Sequence, residues 1–123
     1  MLSVLLVDDS MIFREILAEV LEKAGHRVLG EAGSGEEAIL KHAQLDPDVT
    51  ILDITMPGMD GIETLTKILA NKSGAKVIMV SSAAQQDNVT EALIIGAYDF
   101  LRKPLDSEKL IDLMADIAES LGK

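Results

Sequence analysis

Leu2-Ser3-Val4-Leu5-Leu6-Val7 runs directly into Asp8-Asp9-Ser10. The run is too short for a helix and does not alternate, the pattern of a strand covered on both faces. Four more short runs follow: Arg27–Leu29, Val49–Leu52, Lys76–Val80 and Tyr98–Leu101. Helical patterns separate them. Ile12, Ile16, Val20 and Leu21, with Ala24, form one apolar stripe that stops at Gly25. Ser34-Gly35-Glu36-Glu37 is a capping box that opens a second helix. Ile62, Leu65, Ile68 and Leu69 mark a third. Val89, Ala92, Leu93 and Gly96 mark a fourth, and Leu110, Leu113, Met114, Ile117 and Leu121 a fifth. Asp46-Pro47-Asp48, Pro57-Gly58 and Ser73-Gly74 supply turns. The order is strand–helix, five times over. Helical crossovers force parallel, right-handed pairing. The sequence therefore predicts an α/β fold, (βα)5, with one five-stranded parallel sheet wound by helices on both faces.

Composition narrows the function. The 123 residues suit one domain over 1–123. Hydrophobic residues make up 48% and charged residues 26%, so a self-supporting core is expected. There is no cysteine, which excludes disulfide scaffolds, thiolate metal sites and cysteine nucleophiles. His26 and His42 are too few for a histidine metal cluster. A net charge of −10 repels phosphate backbones and anionic lipids, so neither nucleic acid nor membrane is an expected partner. No signal peptide or membrane span is legible, which predicts a soluble cytoplasmic protein. Aromatic residues, at 2%, are too sparse for stacking platforms.

In open α/β sheets, chemistry gathers at the carboxyl ends of the strands. Here those ends carry Asp8 and Asp9, then Asp53, then Ser81 and Ser82, then Lys103-Pro104. Taken singly, each has an ordinary explanation: Asp9 or Ser10 could cap a helix, and Ser81 and Lys103 could be loop residues. Taken together, they all fall on one rim. Three carboxylates in one pocket must hold a proton or be neutralised by a cation. A hard divalent ion with oxygen ligands meets that need, and magnesium suits few carboxylates better than calcium does. One carboxylate could then act as a nucleophile toward a phosphoryl group, with a lysine and a hydroxyl donating to its oxygens. The stored charge would make a switch.

These segments resemble the receiver domains of two-component response regulators, a flavodoxin-like fold. The matching stretches are Val4–Ser10, Leu52-Asp53-Ile54-Thr55-Met56-Pro57-Gly58-Met59-Asp60-Gly61, Val80-Ser81-Ser82-Ala83 and Leu101-Arg102-Lys103-Pro104. The resemblance covers essentially the whole chain. It implies Asp53 as phosphoacceptor and Mg2+ as cofactor. It gives Asp9, Asp8, Asp53 and the Thr55 backbone carbonyl as the metal-holding groups. It assigns Lys103 and Ser81 to the phosphoryl oxygens, and Ser81 and Phe100 to the switch. It also implies a cis Lys103-Pro104 bond. Ser81 stands where the family often has Thr, and Phe100 where its chemotaxis members often have Tyr. Thr55 and Ala83 are short, which predicts moderate autodephosphorylation rather than turnover catalysis.

Ser81-Ser82-Ala83-Ala84-Gln85-Gln86, then Ala92-Leu93 and Gly96-Ala97, look like the single-domain chemotaxis branch. That implies a histidine kinase as donor, the flagellar motor switch as target through the fourth-helix, fifth-strand and fifth-helix face, a phosphatase, and a monomer. Ile94 or Ile95 is expected to contribute to the partner surface. Other readings are an excised transcription-factor receiver and a phosphorelay intermediate. A haloacid dehalogenase-like aspartyl-phosphate phosphatase would need its two acids two apart on the first strand. A flavin binder would need a hydroxyl-rich loop after that strand. Neither is present.

Overall fold

The computed structural model describes residues 1–82 and 86–123, the side chain of Gln86 excepted. The expected roles of Ala83 and of the Ala84-Gln85-Gln86 stretch therefore lie outside the described residues. The elements are β1 (Ser3–Val7), α1 (Met11–Lys23), β2 (Arg27–Ala32), α2 (Gly35–Leu45), β3 (Val49–Asp53), α3 (Gly61–Asn71), β4 (Lys76–Ser81), α4 (Gln86–Ile95), β5 (Asp99–Arg102) and α5 (Ser107–Leu121). The sheet order is β2-β1-β3-β4-β5, with every pairing parallel.

Strand alternation splits the core in two. Val4, Leu6, Val49, Ile51, Ile78, Val80 and Leu101 face α1 and α5. Leu5, Val7, Leu52, Val77 and Met79 face α2, α3 and α4. The central strand β3 is buried at all five residues, as its unalternating sequence requires.

Four expectations need correction. The inward stripe of α1 is Phe13, Leu17 and Leu21, not Ile12 and Ile16. Ile12 is 69% exposed. Both stripes recur at i, i+4, and the sheet face together with α5 decides which one is covered. β2 continues to Ala32, past Leu29, because it pairs with β1 along an edge. A bulge there skips Leu29, so Leu5 faces Gly30 and the hydrophobic pattern breaks. β5 begins at Asp99 rather than Tyr98. Leu93 and Leu121 are exposed, although the sequence pattern places both in their helices' apolar stripes.

Ser10 caps α1, its Oγ accepting from Phe13 N at 3.2 Å. Ser34 caps α2 in the same way, through Glu37 N. Glu37 reaches back to the Gly33 N–H at 2.8 Å, one residue before the cap, and closes the box.

Candidate functional site

The site is built where β1, β3, β4 and β5 end. Asp8 and Asp53 continue the alternation of Leu6 and Ile51, and Lys103 that of Leu101, all on the α1–α5 side. Asp8, Asp9 and Asp53 each present an oxygen within 4.8 Å of the others. Asp8 and Asp53 are buried, and Asp9 is exposed.

The loop after β3 explains how Asp53 stays in place. Gly58 adopts a positive φ of 75°. Gly61 then donates to the Ile54 carbonyl at 2.7 Å. A Cβ on Gly61 would overlap the Asp53 carbonyl oxygen and come within 2.6 Å of Ile54 Cα. Only glycine lets α3 start so close to the strand end. The motif's final glycine is thus a packing requirement as well as a signature.

One lysine serves two buried acids. Lys103 Nζ lies 3.0 Å from Asp8 Oδ2 and 3.7 Å from Asp53 Oδ2. The Asp8 contact is an ion pair without hydrogen-bond alignment, and Oδ2 has no hydrogen-bond partner among the described residues. Asp8 Oδ1 accepts from Ser10 N at 2.8 Å, and Asp53 Oδ1 from Thr55 N at 3.3 Å. Burial, then the charge of Asp8, pushes the Asp53 carboxyl up to about 6; Lys103 opposes this without cancelling it. The cluster is short of positive charge. Its donor set is all oxygen and its buried Asp8 Oδ2 lacks a donor, so the residues fit a hard divalent cation. The Lys103-Pro104 peptide is cis.

Ser81 lies one residue beyond Val80, the β4 partner of Asp53. It is fully buried, and its Oγ has no hydrogen-bond partner among the described residues. Ser81 and Phe100 share a sheet face on adjacent strands, as diagonal neighbours, since Met79 pairs with Phe100 and Ser81 with Arg102. The Phe100 ring has no hydroxyl, but cations hold it: Lys109 Nζ lies 4.3 Å and Arg102 Cζ 5.3 Å from its centroid. On α4, Ile94 is 81% exposed and Ile95 is also exposed, so both expected partner residues reach the surface.

Two residues here escaped the sequence reading. Arg14 Nη1 donates to the Asp8 backbone carbonyl, and its Nε to Glu31 Oε1 at 2.9 Å. Phe13 places its ring 4.4 Å from Lys103 Nζ. Arg14 gave a faint signal as the first basic residue after the paired acids. Phe13 gave none beyond its apolarity.

Fold and site together define a class: a doubly wound α/β domain with an acidic, cation-ready pocket and a lysine at its strand ends. Comparison with known proteins makes the class specific. Residues 4–115 match the response regulator receiver domain, and the chain belongs to that family. It is a receiver domain of two-component signalling, and a CheY-like one. It is 40% identical over 119 residues to the chemotaxis protein CheY of Listeria monocytogenes, covering 97% of this chain and 100% of that protein. It is 39% identical over 116 residues to CheY of Thermotoga maritima, covering 94% and 97%. The crystal structure of the CheX–CheY–BeF3–Mg2+ complex from Borrelia burgdorferi matches with a TM-score of 0.88 at 37% identity, covering 94% of this chain and 87% of that one. No described helix is long and apolar enough to cross a membrane.

Proposed function

We propose that residues 1–123 form one receiver unit that stores a signal as a phosphoryl group on Asp53. An Asp53 oxygen forms a bond to phosphorus as the N–P bond of a kinase phosphohistidine breaks, and the imidazole leaves. Asp8, Asp9, Asp53 and the backbone carbonyl of Thr55 would hold Mg2+. When bound, that ion would neutralise the charge developing on the phosphoryl oxygens. Lys103 moves its ammonium from Asp8 toward a phosphoryl oxygen. The Ser81 hydroxyl turns to donate to another. The Phe100 ring shifts on the face that Ser81 vacates, changing the surface of α4, β5 and α5.

The observation that carries this reading is the Ser81 hydroxyl, fully buried and without a hydrogen-bond partner among the described residues. A buried unsatisfied hydroxyl costs about 1–3 kcal/mol. A phosphoryl oxygen on the adjacent strand end would relieve that cost in the phosphorylated state alone, which is what a switch requires. Labelling with acetyl phosphate tests the reading: Asp53→Asn should lose all labelling, and unchanged labelling would reassign the nucleophile.

The finer role is chemotaxis. We infer a cytoplasmic monomer that receives phosphate from a chemotaxis-type histidine kinase, is reset by slow autodephosphorylation and a phosphatase, and binds the flagellar motor switch. The support is the near-complete coverage of chemotaxis relatives and the exposed Ile94 on α4. A motor-switch peptide should bind more tightly in beryllofluoride and Mg2+ than in their absence. If the mimic binds Asp53 and the peptide does not bind, the output is transcriptional or a phosphorelay instead.

A further inference from the structure

Phe13 is one of only two phenylalanines in the chain, and it occupies an unusual place. Most of its ring is buried against the α1–α5 core, at 9% exposure. The ring also lies 4.4 Å from Lys103 Nζ. We propose that Phe13 is a positioning residue for Lys103: its ring face carries the ammonium over the acid pair and lets it travel from Asp8 to a phosphoryl group on Asp53. The proposal rests on reading Asp53 as the phosphoacceptor.

Lysine is a flexible four-carbon stem carrying a compact, strongly hydrated charge. Left alone at the rim, such a side chain samples many rotamers. Two contacts draw it to the acids, Asp8 Oδ2 at 3.0 Å and Asp53 Oδ2 at 3.7 Å. These two compete, and the ammonium lies nearer Asp8. To serve a phosphoryl group it must shift toward Asp53. A third hydrogen-bond acceptor would tether it, because such bonds weaken steeply with angle and distance. A ring face attracts a cation over a broad zone, out to about 6 Å from the centroid. A shift of about an ångström therefore keeps the attraction. The ring also excludes water from one side of the ammonium, which strengthens its pull on the remaining anions. Leucine at position 13 would fill much of the same core space, but it offers no negative face. The residue is thus fixed by its face as well as by its volume.

The test uses the full chain with Phe13→Leu and Phe13→Tyr, and with Leu17→Ala as a control that loosens α1 away from Lys103. In lysine-labelled protein without metal, the Lys103 Hε resonances should lie upfield of the other lysines. They should stay there in the Tyr variant and return to the common position in the Leu variant. Titration with beryllofluoride in Mg2+ should give roughly three- to tenfold weaker binding for Phe13→Leu and wild-type binding for Phe13→Tyr. Leu17→Ala should lower Tm without moving that affinity. The proposal is overturned if Phe13→Leu binds beryllofluoride like the wild type, or if its Lys103 resonances do not move. A wild type that binds no beryllofluoride would defeat the phosphoacceptor reading instead, and the resonances alone would then decide whether the ring holds the lysine.

Discussion

The same sheet carries aspartates at both poles, and the two sets live differently. At the amino pole, Asp48 is partly buried beside Ser3 and Lys123. Its Oδ2 accepts from Ser3 N at 2.8 Å and Ser3 Oγ at 3.1 Å, while Lys123 Nζ sits 2.6 Å from Oδ1. Burial pushes its pKa up, but the Lys123 ammonium and the Ser3 donors outweigh that, and the net shift is downward. Asp46 is paired with Lys72. An open hollow of about 310 Å3 lies at this pole, yet Asp46, Asp48, Lys72 and Lys123 on its walls are already paired. At the carboxyl pole, three acids cluster, two of them share one lysine, and Asp53 is pushed the other way. The residue type is the same, but Asp46 and Asp48 are the more exposed and each has a lysine partner, whereas Asp8 and Asp53 are buried and share one. Satisfied acids hold the fold, and starved acids await a ligand.

The contrast can be broken in order of expected size. Magnesium at a hundredfold above its Kd should stabilise the wild type by about 2.7 kcal/mol, and Asp8→Asn with Asp53→Asn should remove the effect. A melting temperature indifferent to the ion would erase the distinction between the poles. Next, Asp48→Ala should destabilise by about 2 kcal/mol whether or not magnesium is present, because it strands two Ser3 donors and Lys123. Denaturant titration in both conditions would show it. Asp53→Asn should do the reverse and stabilise metal-free protein at pH 8 by roughly 1–2 kcal/mol. A carboxyl raised in the folded state contributes stability below its unfolded pKa and loses it as pH rises through about 6. Melting in a chelator between pH 4 and 8 would reveal that slope in the wild type and its absence in the variant.

The smallest effect belongs to His26, whose Nδ1 accepts from Leu2 N at 3.1 Å. Burial, then the amino terminus, lowers its pKa from 6.5. The folded state resists protonation, so this contribution is present above pH 6.5 and fades as pH falls through the lowered value. His26→Asn keeps an acceptor and should flatten stability between pH 7 and 5.5. An unchanged slope would place the titration elsewhere, with buried His42, also lowered by burial and then by Lys72, the next candidate.

The sheet, its order of elements and the acid cluster were all legible, because each rests on short-range pattern: apolar runs, caps, and polar residues fixed at strand ends. Local pattern failed where a distant neighbour decides. On α1, Ile12/Ile16 and Phe13/Leu17 are equally good stripes until the sheet and α5 cover one of them. The end of β2 is held by backbone pairing to β1, which the residue types Gly30 and Glu31 do not advertise. The ring of Phe13 over Lys103 joins residues on α1 and after β5, and no spacing rule connects them.

Gly61 has a further consequence, one for mutational libraries. If Asp53 is the phosphoacceptor and Asp53→Asn folds as predicted above, such variants at position 53 would disappear only under selection for signalling. Position 61 has no room for even a methyl group against the strand end, so its variants would vanish under any selection that needs folded protein. A library randomised across 53–61 therefore contains its own internal standard. Depletion at 61 calibrates the loss of folded protein, and depletion at 53 beyond what abundance explains would measure how much the cell depends on the proposed phosphoacceptor.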